Sequence, residues 1–179
     1  MNVRAILLLL VTASSSACRG SSEESADASA VRSSSPSADE VLASMDTRTA
    51  VPLLPRMANH QKQNMREHLV AVQEITAGVS ANDFAAIERG ASRIGFSEQM
   101  GAMCQHMGAG AAGFSDRALA FHHTADGIGV AAKLHDMPSV LSKLNETLAA
   151  CTSCHATYKQ RVVDEATWAS LTDRSQREQ

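Results

Sequence analysis

Residues 151 to 155 read Cys151-Thr152-Ser153-Cys154-His155, and they close a run in which Val140, Leu141, Leu144, Leu148, Cys151 and His155 recur mostly at steps of three and four. That spacing lines the six up along one side of a helix. The two thiols and the imidazole are then expected to point into whatever the helix packs against. Two cysteines three apart followed at once by His form the pattern of c-type haem attachment. Each thiol can add across a vinyl group of one porphyrin, and the adjacent imidazole can ligate its iron. A thioredoxin-like Cys-x-x-Cys needs a preceding strand and a βαβ setting, whereas the flanks here are helical. A structural zinc site needs a second ligand pair, which the isolated Cys18 and Cys104 do not supply. The expected cofactor is therefore one covalent haem c. Cys151 and Cys154 are its thioether anchors and His155 is the proximal axial ligand.

Outward from this stretch the pattern stays helical. Asp136 and Pro138 suit the opening of the same helix, which is expected to run past the motif to about Val163. Before it, Ser115 and Asp116 introduce a helix reaching about Leu134, with Leu119, His122, Ala125, Ile128 and Ala132 on one face. Residues 96–113, rich in Gly and Met, read as a loop with one irregular helical piece. Asn82 or Asp83 caps a helix whose buried face carries Phe84, Ile87, Ala91 and Ile94 and which Gly95 stops. The first helix spans about Leu53 to Ala77, with Met57, Gln61, Met65, His68, Val72 and Ile75 on its apolar-leaning stripe and Gly78 at its end. No strand pattern stands out. Four long amphipathic helices with short connections predict an all-α fold, an antiparallel up-down-up-down four-helix bundle over residues 53–163 enclosing the haem. Residues 164–179 read as a short helix around Trp168 and a tail.

The composition agrees with helices. The 179 residues are 44% hydrophobic but only 3% aromatic, so Ala, Leu, Val and Met must fill the core. The net charge of -3 and the lack of a basic patch with interleaved aromatics exclude a nucleic-acid partner. Cys104 reads as a small buried apolar residue.

Residues 1–18 read as a secretory leader. Arg4 supplies its charge and Ala5 to Val11 its apolar run, which is too short to span a bilayer. Small and polar residues follow, then Cys18. This arrangement resembles a bacterial lipoprotein signal, in which the Cys is lipidated, although Ser15 stands where such signals carry an aliphatic residue. Plain cleavage near Ala17 is the alternative. Residues 19–52, rich at first in Ser, Ala and acidic side chains, read as a flexible tether with a short helix within 40–52. About twenty such residues reach on the order of 25 Å. The expected location is the periplasm or the outer face of a bacterial membrane, where thioether attachment takes place, with a lipid anchor at Cys18.

A four-helix bundle with Cys-x-x-C-H late in its last helix resembles the cytochrome c′ family, including its low-spin six-coordinate relatives. The likeness covers about residues 53–163 and extends to Tyr158-Lys159 after the motif. In the low-spin relatives a Met from the first helix ligates the iron opposite the motif's His, and the resemblance assigns that place to Met65. His68, one turn later, is the alternative, and an apolar position there would leave the iron five-coordinate. The family often carries an Arg four residues before that Met, near the haem propionates. Here the residue is Gln61, leaving Arg56 or Lys62 as propionate partners. Homodimers are common in the family, although no helix here shows an obvious second apolar stripe.

The function this implies is periplasmic electron transfer by a monohaem cytochrome. Iron held by His155 and a second strong ligand has no open position for substrate, and its potential is set by ligand, burial and hydrogen bonds. The partners are redox proteins. A five-coordinate haem binding NO or CO is the second reading, and a peroxidase, which needs polar distal groups, the third. Met57, His60, Met65 and His68, with Met103 and His106 repeating the M-x-x-H spacing, also carry copper-ligand chemistry. That reading ranks below core Met and exposed His.

Overall fold

A computed structural model describes residues 35–177. The leader, Cys18 and the tether up to residue 34 lie outside the described residues. The described chain divides into two units, the first ending at Val41 and the second beginning at Leu42. The described part of the first is the opening of helix α1 (Ala38–Met45). There Ser37 Oγ accepts from the Glu40 amide, and the Glu40 carboxylate accepts from the Ser37 amide, a reciprocal capping box.

In the second unit the chain runs through strand β1 (Thr49–Leu53), α2 (Pro55–Ala81), α3 (Phe84–Ile94), α4 (Glu98–Gly108), α5 (Phe114–Lys133), α6 (Met137–Thr157), β2 (Tyr158–Val162) and α7 (Glu165–Arg177). The chain is mostly helical, as an all-α reading requires. Pro55 opens α2 at a position that tolerates its missing N–H. Asp83, Ser97 and Asp136 cap α3, α4 and α6 by accepting from the amides of Ala86, Met100 and Ser139.

The sequence expectations need correction at five places. First, β1 and β2 form a parallel two-stranded ladder, Thr49 opposite Tyr158 through Leu53 opposite Val162. The last long helix therefore stops at Thr157 rather than about Val163, because backbone pairing with β1 replaces helical hydrogen bonds from Tyr158 onward. Second, the folded unit includes β1, inside the stretch read as tether; Val51 and Leu53 are almost wholly buried. Third, Gly78 does not end the first long helix. It lies inside α2, and a Cβ there would sit 2.8 Å from Ile87 Cγ1. Its missing side chain lets α3 approach. Fourth, the Gly- and Met-rich stretch holds a true helix, α4. Gly101 packs on the Phe96 ring and Gly108 on Phe114 and Ser115, so these glycines serve close contact rather than loop flexibility. The C-terminal helix α7 is also longer than a short segment around Trp168.

α2 packs along α3, α3 along α5, and α5 along α6; no comparable contact joins α2 to α6. Two apolar clusters fill the interior. The larger joins Ala71 and Ile75 of α2 to Ile87 and Ile94 of α3, Ala125 and Ile128 of α5, and Val140 and Leu144 of α6. The smaller joins Val51 and Leu53 to Ala58, Met107, Phe114 and Tyr158. Among the described residues no helix is long and apolar enough to cross a membrane.

Candidate haem-attachment site

On α6, Val140, Leu144 and Thr147 are buried, and Cys151 and Cys154 continue that face half-buried. Cys151 packs against the larger cluster and Cys154 against the smaller, so the two thiols, one turn apart, stand at the join between the two cores. Neither is in a disulfide. Burial pushes both thiols above the ordinary Cys range, with the Arg117 cation partly opposing the shift at Cys154. They are therefore protonated at neutral pH.

Contrary to the expectation that the imidazole points into the packed face, His155 is exposed, and among the described residues its ring meets no hydrogen-bond partner. Its backbone is held instead. Arg48 Nη1 donates to the His155 carbonyl at 3.0 Å and to the Tyr158 carbonyl at 3.4 Å. Arg48 is itself set by Asp46, whose carboxylate accepts from Arg48 Nε at 3.0 Å and Nη2 at 2.8 Å. The Arg48 hydrogen bond holds the Asp46 carboxyl down at about 2. On the other side Arg117 donates to Ser153 Oγ at 3.1 Å and lies over the Tyr158 ring, whose hydroxyl donates to the Ala112 carbonyl.

On α2 the Met65 and His68 positions differ. His68 lies on the inner face, its ring stacked on Phe121 at 5.1 Å and edge-on to His122 at 5.4 Å. Burial, then the neighbouring His122, lowers its pKa to about 4. Burial lowers His122 too; its Nδ1 donates to the Ile94 carbonyl at 2.8 Å, which fixes the tautomer. His122 is thus a core residue rather than a surface one. Met65 sits further round the helix and is 38% exposed. Gln61, one turn before Met65, is buried and accepts from Gln160 of β2. Arg56 and Lys62 are exposed.

At 100° per residue, the sides of the two helices can be read in order. α2 meets α3 through Ala71, Ile75 and Gly78 and meets α5 through His68; beyond these come Val72, Met65 and Leu69. α6 meets α5 through Lys143 and Ser153; beyond its core positions come His155, Leu148 and Leu141. Leu69, Leu141 and Leu148 are 70%, 49% and 41% exposed. An uncovered apolar row thus runs along the flank of each helix turned away from its packed neighbour, with Met65 in one row and His155 in the other. These residues suit a planar apolar group with a metal at its centre: thiols beside it, an imidazole on one row and a thioether on the other.

The remaining sequence candidates separate. Met57 and Met103 pack into the smaller cluster, while His60 and His106 are exposed. His106 lies beside the Trp168 ring. Of the histidines outside the M-x-x-H pattern, His123 stacks on Phe96 and His135 on Phe84. No group of three or more His, Cys, Asp and Glu side chains comes together among the described residues. Cys104 is buried, with its thiol pushed up by burial, as its apolar reading requires. Arg48, Arg117 and Phe121 were not singled out in the sequence. A basic residue within a polar segment more than a hundred residues from the motif carries no local signal. No known protein family, curated protein or solved structure matches the chain.

Proposed function

We propose that the chain is an exported monohaem c-type cytochrome that carries electrons. α2, α3, α5 and α6 form an antiparallel up-down-up-down bundle in this reading, which turns the apolar flanks of α2 and α6 toward each other around one haem c. Cys151 and Cys154 hold the group by thioethers, and His155 is its proximal ligand. Met65 is the distal ligand, with His68 the alternative. When bound, the haem supplies a one-electron couple. The protein's own residues anchor it, keep water off its faces with Leu69, Val72 and Leu148, and leave no room for substrate once both axial positions are filled. Redox proteins of the periplasm are the partners, and Cys18, if lipidated, ties the domain to a membrane.

The observation that carries this reading is the pairing of the Cys151-x-x-Cys154-His155 run with two uncovered apolar rows on helices that do not pack on each other. The competing reading is a five-coordinate haem binding NO or CO, and the aliphatic Leu69 and Val72 beside Met65 are what favour it. Carbon monoxide titration of the ferrous holoprotein separates the two. Electron transfer with Met65 ligated predicts slow or incomplete binding; rapid stoichiometric binding contradicts it and supports the gas reading.

A further inference from the structure

The last turn of an α-helix leaves carbonyls without helical partners, and in α6 that turn carries His155. The chain leaves the helix at Tyr158, whose amide still bonds back to the Cys154 carbonyl. The next carbonyl, that of His155, is taken by the Arg48 guanidinium, 107 residues away in sequence. The geometry of the guanidinium is specific. Nε and Nη2 are occupied by the two oxygens of Asp46, leaving Nη1 aimed at the His155 and Tyr158 carbonyls. A second cation, Lys159, donates to the Asp46 and Ala43 carbonyls and so fixes the segment that carries Arg48. The adjoining ladder begins at Thr49 opposite Tyr158, which locks the same two segments together one residue further on.

We infer that Arg48, held by Asp46, is a positioning residue for the proximal ligand, clamping the end of α6 so that the His155 imidazole keeps one orientation toward the iron. This rests on the proposed haem function. The clamp answers a need of the sequence. His155 is exposed, its ring has no hydrogen-bond partner among the described residues, and it stands in the last turn of α6, where its carbonyl has no helical partner. A planar fork reaching two carbonyls while gripping a carboxylate is within the reach of Arg and not of Lys. The guanidinium also places a cation at the negative end of α6, beside the motif.

The test uses full-length holoprotein matured in a host that attaches haem c, compared with Arg48→Gln and Arg48→Lys. Two quantities are read: the midpoint potential, and the linewidth of the ferric paramagnetic-resonance signal, which reports the spread of imidazole orientations. Arg48→Gln is expected to lower the ferrous-to-ferric ratio at fixed potential about threefold, the scale of losing one partly screened charge, and to broaden the signal. Arg48→Lys restores the charge but not the fork, so it is expected to recover the potential while the signal stays broad. Wild-type linewidth in Arg48→Lys overturns the inference and leaves only a charge effect. If Arg48→Gln fails to accumulate, Arg48→Lys decides alone by its linewidth. A wild-type protein with no covalent haem would instead bring down the proposed function, an outcome the haem content of the same preparation separates from failure of the clamp.

Discussion

The His68 ring stacks on Phe121 with centroids 5.1 Å apart and planes 25° from parallel, and His122 closes the group edge-on. This three-ring contact ties α2 to α5 and fixes the rotation of α2. It draws His68 into the protein and leaves Met65, one turn earlier, on the open flank. Ligation by His68 would require the stack to break, whereas ligation by Met65 requires only that the flank be covered.

The axial assignments follow from that difference. In ferric holoprotein, Met65→Ala is expected to abolish the long-wavelength charge-transfer band of Met–His haem, and His68→Leu to keep it. His68→Leu should still cost about 1 kcal/mol of stability through the lost aromatic contact, measured by denaturant unfolding. A band that survives Met65→Ala and disappears in His68→Leu would reverse the assignment.

The same pair of histidines predicts a pH dependence. Burial holds His68 at about 4, below its ordinary 6.5, and lowers His122 as well. Both are therefore neutral in the fold at pH 7 and take up protons more readily in the unfolded chain. Stability from this source is complete above pH 6.5 and is lost as the pH falls toward 4, by about 3 kcal/mol for His68. Unfolding free energies of wild type and His68→Leu, compared at pH 7 and pH 4.5, check this. His68→Leu, the less stable of the two at pH 7, should become the more stable at pH 4.5, and a constant difference would contradict it.

Two glycines test the packing of α2 on α3. A Cβ at Gly78 would meet Ile87 Cγ1 at 2.8 Å, and one at Gly90 would meet Ile75 Cγ1 at 2.8 Å. Gly78→Ala and Gly90→Ala are each expected to destabilise by about 1–3 kcal/mol. Gly129, where the nearest atom is Ala91 Cβ at 3.7 Å, is the control. Gly129→Ala should be neutral or stabilising by up to about 1 kcal/mol, because Ala is the better helix former.

Cys104 gives a fourth prediction. It is buried and its thiol is pushed up in pKa by burial. Native protein treated with an alkylating agent at neutral pH should show Cys104 unmodified by peptide mapping, and denaturant should expose it. Rapid native labelling would mean that α4 opens.

Periodicity and caps were enough to read most of the helical elements. Asp83 and Asp136 cap where expected, and Ile75 of α2, Ile87 and Ile94 of α3, Ile128 of α5 and Val140 of α6 are buried. What escaped is tertiary in origin. Tyr158 to Val162 could continue a helix, and only the presence of β1 makes them a strand. Gly78, Gly101 and Gly108 look like breaks until the neighbour that needs the space is known. At the candidate site, the cysteines and His155 are legible because their spacing is local. Arg48 and Phe121 are not, because each acts through a contact far away in sequence.

The most direct test of the account is the intact mass of the mature protein from a host that matures c-type cytochromes, alongside Cys151→Ser/Cys154→Ser. The account predicts a coloured wild type with the mass of its polypeptide plus one haem, retained after acid–acetone extraction, and a double variant without either. A colourless wild type with only its polypeptide mass would contradict it.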